Sequence, residues 1–185
     1  RSSSESTLAA QALAIKRKEW INAESDNMAN IDEAKSAFEE GELAKCLKYA
    51  LEVKDVDGVK SVFQKDADDL VAQVKDTVVK SATKKAEAAV KAQQWARAIT
   101  NLEKVLKYKK ELAPTLRPEI ERYQKYENER QLLEEARKLA KQKEYSEALA
   151  RLSKIGADSP YKDKVAALKQ QYLAKDVDQR AYAIY

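Results

Sequence analysis

The chain has no histidine, a single cysteine, three glycines and three prolines. Each scarcity excludes something. Without histidine, the commonest general base and the commonest zinc ligand are both missing. Cys46 alone can form neither an internal disulfide nor a thiolate metal site, and it leaves the redox compartment open. Three scattered glycines build no phosphate-cradling loop. The carboxylate pairs Glu39/Glu40, Asp68/Asp69 and Glu134/Glu135 are adjacent in sequence, so on a helix the members of each pair diverge by about 100°. A four-helix carboxylate metal site would need Glu-x-x-His. No run of about 18 uncharged apolar residues occurs, so no membrane-spanning segment is expected. These absences predict a chain that is not an enzyme and needs no cofactor and no metal.

What is present is charge and helix-forming apolar spacing. Charged residues make up 36% and apolar residues 44%, the balance of a packed helical domain and well above that of a disordered chain. The net charge of +4 is unevenly spread: residues 1–92 are about −2, residues 93–185 about +6. A basic second half can mean an acidic partner, and more often it is only the solvated face of Lys-rich helices. The opening Arg1-Ser2-Ser3-Ser4-Glu5-Ser6 has neither an initiator Met nor the apolar core of a signal peptide, and residues 1–5 read as a Ser-rich linker. The expectation is a segment of a larger, bacterial protein, cytoplasmic or the periplasmic or extracellular portion of an anchored one.

All six breakers fall where helices need ends. Gly41 and Gly156 mark stops and Gly58 a start, while Pro114, Pro118 and Pro160 precede periodic runs with Thr115 and Ser159 as caps. The spacing predicts a helix over about 6–24, then one to about 40 opened by the capping box Asn30-x-x-Glu33, the two being alternatively one bent helix. A short helix at 43–54 follows. Val59, Phe63, Ala67, Leu70, Val74, Val78, Ala82, Ala86 and Ala89 then recur at spacings of three and four and predict one long helix near 58–92. Further helices are expected to about 110, over 118–142, over 145–155 and over 160–175, before a tail at 176–185.

Three stretches repeat one pattern: Gly41-Glu42-Leu43-x-x-Cys46, Gln93-Gln94-Trp95-x-x-Ala98 and Lys143-Glu144-Tyr145-x-x-Ala148. The period of 50–52 residues predicts stacked helical hairpins, with Leu43, Trp95 and Tyr145 buried at the turns and Cys46, Ala98 and Ala148 at the close helix contacts. At these residues the chain resembles the tetratricopeptide repeat family, whose first helix ends in Gly-Asp-Tyr and whose second begins with Ala-Ile. The resemblance covers about 20 residues in each of three places. It departs from the family in its longer period, in lacking the Trp and Leu-Gly signature of the first helix, and in lacking the closing Pro. The fold expected is all-α: three stacked hairpins with long first helices, near 30–55, 58–110 and 116–156, plus a capping helix 160–175, forming one domain over 6–175.

The resemblance also implies a peptide-gripping face on the first helices. Carried onto this chain, its positions are Met28, Ile31, Lys35, Phe38 and Glu39, then Lys80, Thr83, Glu87, Val90 and Lys91, then Arg130, Leu133, Arg137, Ala140 and Lys141. The partner-binding candidates are Lys80, Lys91, Arg130, Arg137 and Lys141, with Lys91 and Lys141 one repeat apart on a surface suited to an acidic peptide. The function expected is noncatalytic protein interaction or scaffolding, with a protein partner or self-association. One alternative is a binder of nucleic acid or another polyanion, in which Tyr108, Tyr123, Tyr126, Tyr161 and Tyr172 of the basic half stack on single strands. The other is a structural subunit of a homopolymeric or secretion-type assembly, docking through Tyr182 and Tyr185.

Overall fold

The structure, a computed structural model, describes the backbone of residues 2–182 and the side chains of residues 7–181. Among the described residues seven α-helices follow one another: α1 (Ser2–Glu39), α2 (Leu43–Glu52), α3 (Gln64–Lys91), α4 (Trp95–Tyr108), α5 (Ala113–Lys141), α6 (Tyr145–Leu152) and α7 (Lys162–Tyr182). A 3-10 turn at Lys110–Leu112 joins α4 to α5. Among the described residues there is no strand, and the class is all-α.

Three connections are the same piece of backbone. Gly41, Gln93 and Lys143 are left-handed, with φ of 77°, 54° and 65°. Each donates its N–H three residues back, to the carbonyls of Phe38, Val90 and Ala140 at 3.1, 3.0 and 3.1 Å. The next residues, Glu42, Gln94 and Glu144, donate five back, to Ala37, Ala89 and Leu139 at 2.8, 2.8 and 3.0 Å. This bond pair is the Schellman motif, which satisfies carbonyls that a helix end would leave unpaired. Glu42, Gln94 and Glu144 then open the next helix by accepting from the N–H of Cys46, Ala98 and Ala148, each at 3.0 Å. These last three side chains have no exposed surface at all, which is why only small residues occur there. The 50–52-residue period is therefore written in backbone geometry as well as in residue type.

The wedge residues are less uniform than expected. Trp95 is buried, whereas Leu43 and Tyr145 are only half-buried. Tyr123 stacks on Trp95 at 5.5 Å and Tyr126 lies tilted at 5.1 Å, while the hydroxyl of Tyr161 accepts the indole N–H at 2.7 Å. Among the described residues Tyr145 receives one ring, that of Tyr172 at 6.1 Å.

Several expected boundaries shift. One helix, α1, runs unbroken from Ser2 to Glu39, so it takes in Ser2–Glu5 of the expected linker as well as both segments expected over 6–40, and Asn30 opens nothing. The long helix expected from 58 begins at Gln64, because Asp57 and Gly58 are both left-handed, with φ of 52° and 77°. Val56 and Val59 exchange two hydrogen bonds of 2.9 Å across them, which makes Val56–Val59 a two-residue hairpin turn of type I′. Helix α5 starts at Ala113 rather than 118, so Thr115 lies inside it and caps nothing. Ser159 does cap: its Oγ accepts the N–H of Tyr161 at 3.1 Å. Helix α7 runs on through Asp176 to Tyr182 and absorbs most of the expected tail, while Tyr185 and the side chain of Tyr182 lie outside the described residues.

The periodicity suggested one domain over 6–175; the chain instead divides into two compact units, 1–80 and 81–185, with the boundary inside α3. The core of the first joins Ile31, Ala34 and Ala37 of α1 to Cys46 and Ala50 of α2 and to Ala67, Leu70 and Val74 of α3. The core of the second runs from Ala86 and Ala89 of α3 through Trp95, Leu102, Tyr123, Leu133 and Leu152 to Tyr172 of α7. Within it α5 lies against α4 and α6, and α7 packs on α6.

Candidate interaction groove

Four of the five positions that the repeat resemblance marks on α3 meet in one place. Thr83, Glu87, Val90 and Lys91 line a cavity of about 370 Å³ whose opposite walls are Leu102 of α4 and Leu116, Glu119 and Tyr123 of α5. Ala86, Val90, Leu102, Leu116 and Tyr123 make its floor apolar, while Glu87, Lys91, Glu119 and Thr83 stand at its polar edge. The helix spacing explains the selection: 83, 87 and 90 fall on one face, next to the core stripe of 82, 86 and 89. Lys80, one turn earlier, is exposed and does not line the cavity.

The third-copy candidates are placed differently. Arg130 is engaged within the fold: its guanidinium makes bonds of 3.0 and 2.7 Å to Glu127 and one of 2.6 Å to Glu134. Leu133 is buried in the core, so it presents nothing to a partner. Arg137 and Lys141 are exposed, but they lie 18 and 22 residues beyond Glu119 on α5, about 27 and 33 Å along the axis. They do not line the cavity that holds Lys91. The expectation that Lys91, Arg137 and Lys141 converge on one concave surface rests on neighbouring long first helices packing directly, about 10 Å apart. In this chain α5 is 29 residues long, and only its first half reaches α3 and α4 at the cavity. In the first copy Ile31 is core and Lys35 pairs with Asp66 at 2.8 Å, leaving Met28 and Glu39 exposed.

Reasoning from sequence missed a second repeated device. At the start of α4, Glu127 of α5 accepts the Ala96 N–H together with the bonds from Arg130, and only 15% of its side chain is exposed. Those charge-assisted bonds from Arg130 hold its carboxyl below the usual carboxylate range, against the cost of burial. At the start of α6 stands Asp176 of α7, 14% exposed and paired with Arg180 at 2.9 Å. The acids lie 49 residues apart and the arginines 50, so the period was there to be read. Two buried glutamates were also missed. Glu24 accepts the Ser61 hydroxyl at 2.7 Å, and Glu129 lies beneath Gly156; both fall on the core stripe of their helices.

The aromatic and thiol candidates resolve into packing. Tyr123, Tyr161 and Tyr172 are buried, and Tyr108 and Tyr126 half-buried, so they line helix seams and offer no open stacking row. Burial pushes the Tyr161 phenol up, as it does the Cys46 thiol, which makes Cys46 a poor nucleophile. Among the described residues no helix is long and apolar enough to cross a membrane. No protein-family model, no curated protein and no solved structure matches the chain.

Proposed function

We propose that this chain is a noncatalytic, tetratricopeptide-like interaction module that takes a short peptide in the groove between α3, α4 and α5. The observation that carries the reading is the convergence of Thr83, Glu87, Val90 and Lys91, marked by the repeat, on one apolar-floored cavity. Its edge holds two carboxylates and one ammonium, so it suits an apolar anchor residue in a peptide of mixed charge better than an acidic tail. The three turns of like backbone geometry support the repeat alignment from which the groove positions are taken.

Panning a displayed random-peptide library on the protein tests this. Enriched peptides should share a large apolar residue and lose binding by about tenfold or more to Val90→Asp, with the circular-dichroism melt of the variant as the folding control. A library that never enriches, or peptides indifferent to Val90→Asp, would count against the groove. A steep salt dependence of binding to generic single-stranded DNA would favour the polyanion reading instead.

A further inference from the structure

Every side chain of α1 from Thr7 to Asn22 is exposed. Leu8, Leu13, Ile15 and Ile21 keep 64, 69, 59 and 52% of their surface in solvent. Residues 8–15 are apolar almost all round, the character of a helix that is ordinarily covered, and a collar of Lys16, Arg17 and Lys18 follows them. At 1.5 Å per residue the exposed stretch is about 24 Å long.

Where α1 enters its unit, a groove of about 390 Å³ opens beside Ala23, Asp26 and Asn30, and its far wall is Glu52 at the end of α2 with the loop Lys54–Asp57. Four carboxylates, those of Asp26, Glu52, Asp55 and Asp57, line it against one lysine, Lys54. The wall is fixed: the Asn27 amide donates to the Lys54 carbonyl at 2.9 Å and accepts its N–H at 3.1 Å, and the Val56–Val59 turn holds Asp57. Among the described residues no three such carboxylates converge to hold a metal ion. Leu51, at the same end of α2, is 64% exposed.

The geometry points to a two-fold dimer in which the exposed part of α1 from each copy lies in the acidic groove of the other. The apolar tip packs toward Leu51, and Lys16, Arg17 and Lys18 sit beside Asp26, Asp55 and Asp57. The collar does not line its own groove, and Lys18 and Asp26 are eight residues, about 12 Å, apart along the helix. Residues 17 and 26 are equidistant from the Ile21–Asn22 junction, so a two-fold axis there satisfies both contacts at once and closes the assembly at two copies. Parallel pairing of the two α1 helices would set each basic collar against its twin, which like charges oppose.

Light scattering after size exclusion, with dissociation constants from sedimentation, tests the dimer. The wild-type chain should run as two copies, and its affinity should fall as salt rises. Lys16→Glu with Lys18→Glu, or Asp26→Lys with Asp55→Lys, should each weaken self-association by about tenfold or more, while an equimolar mixture of the two variants recovers a mixed dimer. A wild-type monomer at every concentration, a dimer indifferent to salt and to both reversals, or a mixture that stays monomeric overturns it.

Discussion

At Gln93 and Lys143 a side chain is carried where only glycine is free of cost. The left-handed conformation strains other residues by about 1–2 kcal/mol, part of which glycine gives back as extra freedom in the unfolded chain. Gln93→Gly and Lys143→Gly should therefore each stabilise by roughly 0.5–1 kcal/mol, and Gly41→Ala should destabilise by a similar amount, as read from urea unfolding midpoints. A Cβ on Gly41 would meet nothing within 4 Å, so no steric clash adds to that loss. These positions were legible in the sequence, since aligning Gly41 with Gln93 and Lys143 marks all three as turns. The small residues Cys46, Ala98 and Ala148 were legible for the same reason. The wedge residues were read alike, yet Trp95 is buried and Tyr145 is not, because burial there depends on how many rings the following helices deliver.

Among elements, α4 has no cap from its own N-terminal residue, and a carboxylate from another helix does that work. Glu127 has a folded-state pKa below its ordinary value near 4.5, so the native state binds fewer protons there than the unfolded chain. Its contribution is fully present above about pH 4.5 and is lost as pH falls through the lowered value. Glu127→Gln should lower the melting temperature at pH 7 and flatten its decline below pH 4.5; an unchanged acid limb would show that Glu127 contributes nothing. The recurrence of the acid is readable in the sequence but its partner is not, because such pairings join residues about 30 to 66 apart, as in Glu127 with Ala96 and Trp95 with Tyr161. The Asp57-Gly58 turn is another matter. That dipeptide is a strong hairpin signal, but Val59 and Phe63 extend the helical spacing of α3 and mask it.

At the scale of the whole molecule, Ile31 and Ile155 belong to separate cores. Ile31→Val and Ile155→Val should each cost about 0.5–1.5 kcal/mol, and the double variant should cost their sum to within about 0.5 kcal/mol by chemical denaturation. Coupling beyond that would mean the two cores do not respond independently. Two helices, meanwhile, each answer to more than one neighbour. Helix α3 contributes Ala67, Leu70 and Val74 to one core and Ala86 and Ala89 to the other, and α5 meets α4 through Tyr123 and α6 through the Glu135–Arg151 pair at 3.3 Å. The packing unit is therefore not a helix pair. A segment cut at helix termini would lose packing at each junction, whereas one cut at mid-helix, from the middle of α3 to the middle of α5, would keep the α4 residues Trp95 and Leu102 with Ala86, Ala89 and Tyr123 of their core. Lengthening or shortening such an array by recombination leaves its seams intact only when the crossovers fall inside the long helices.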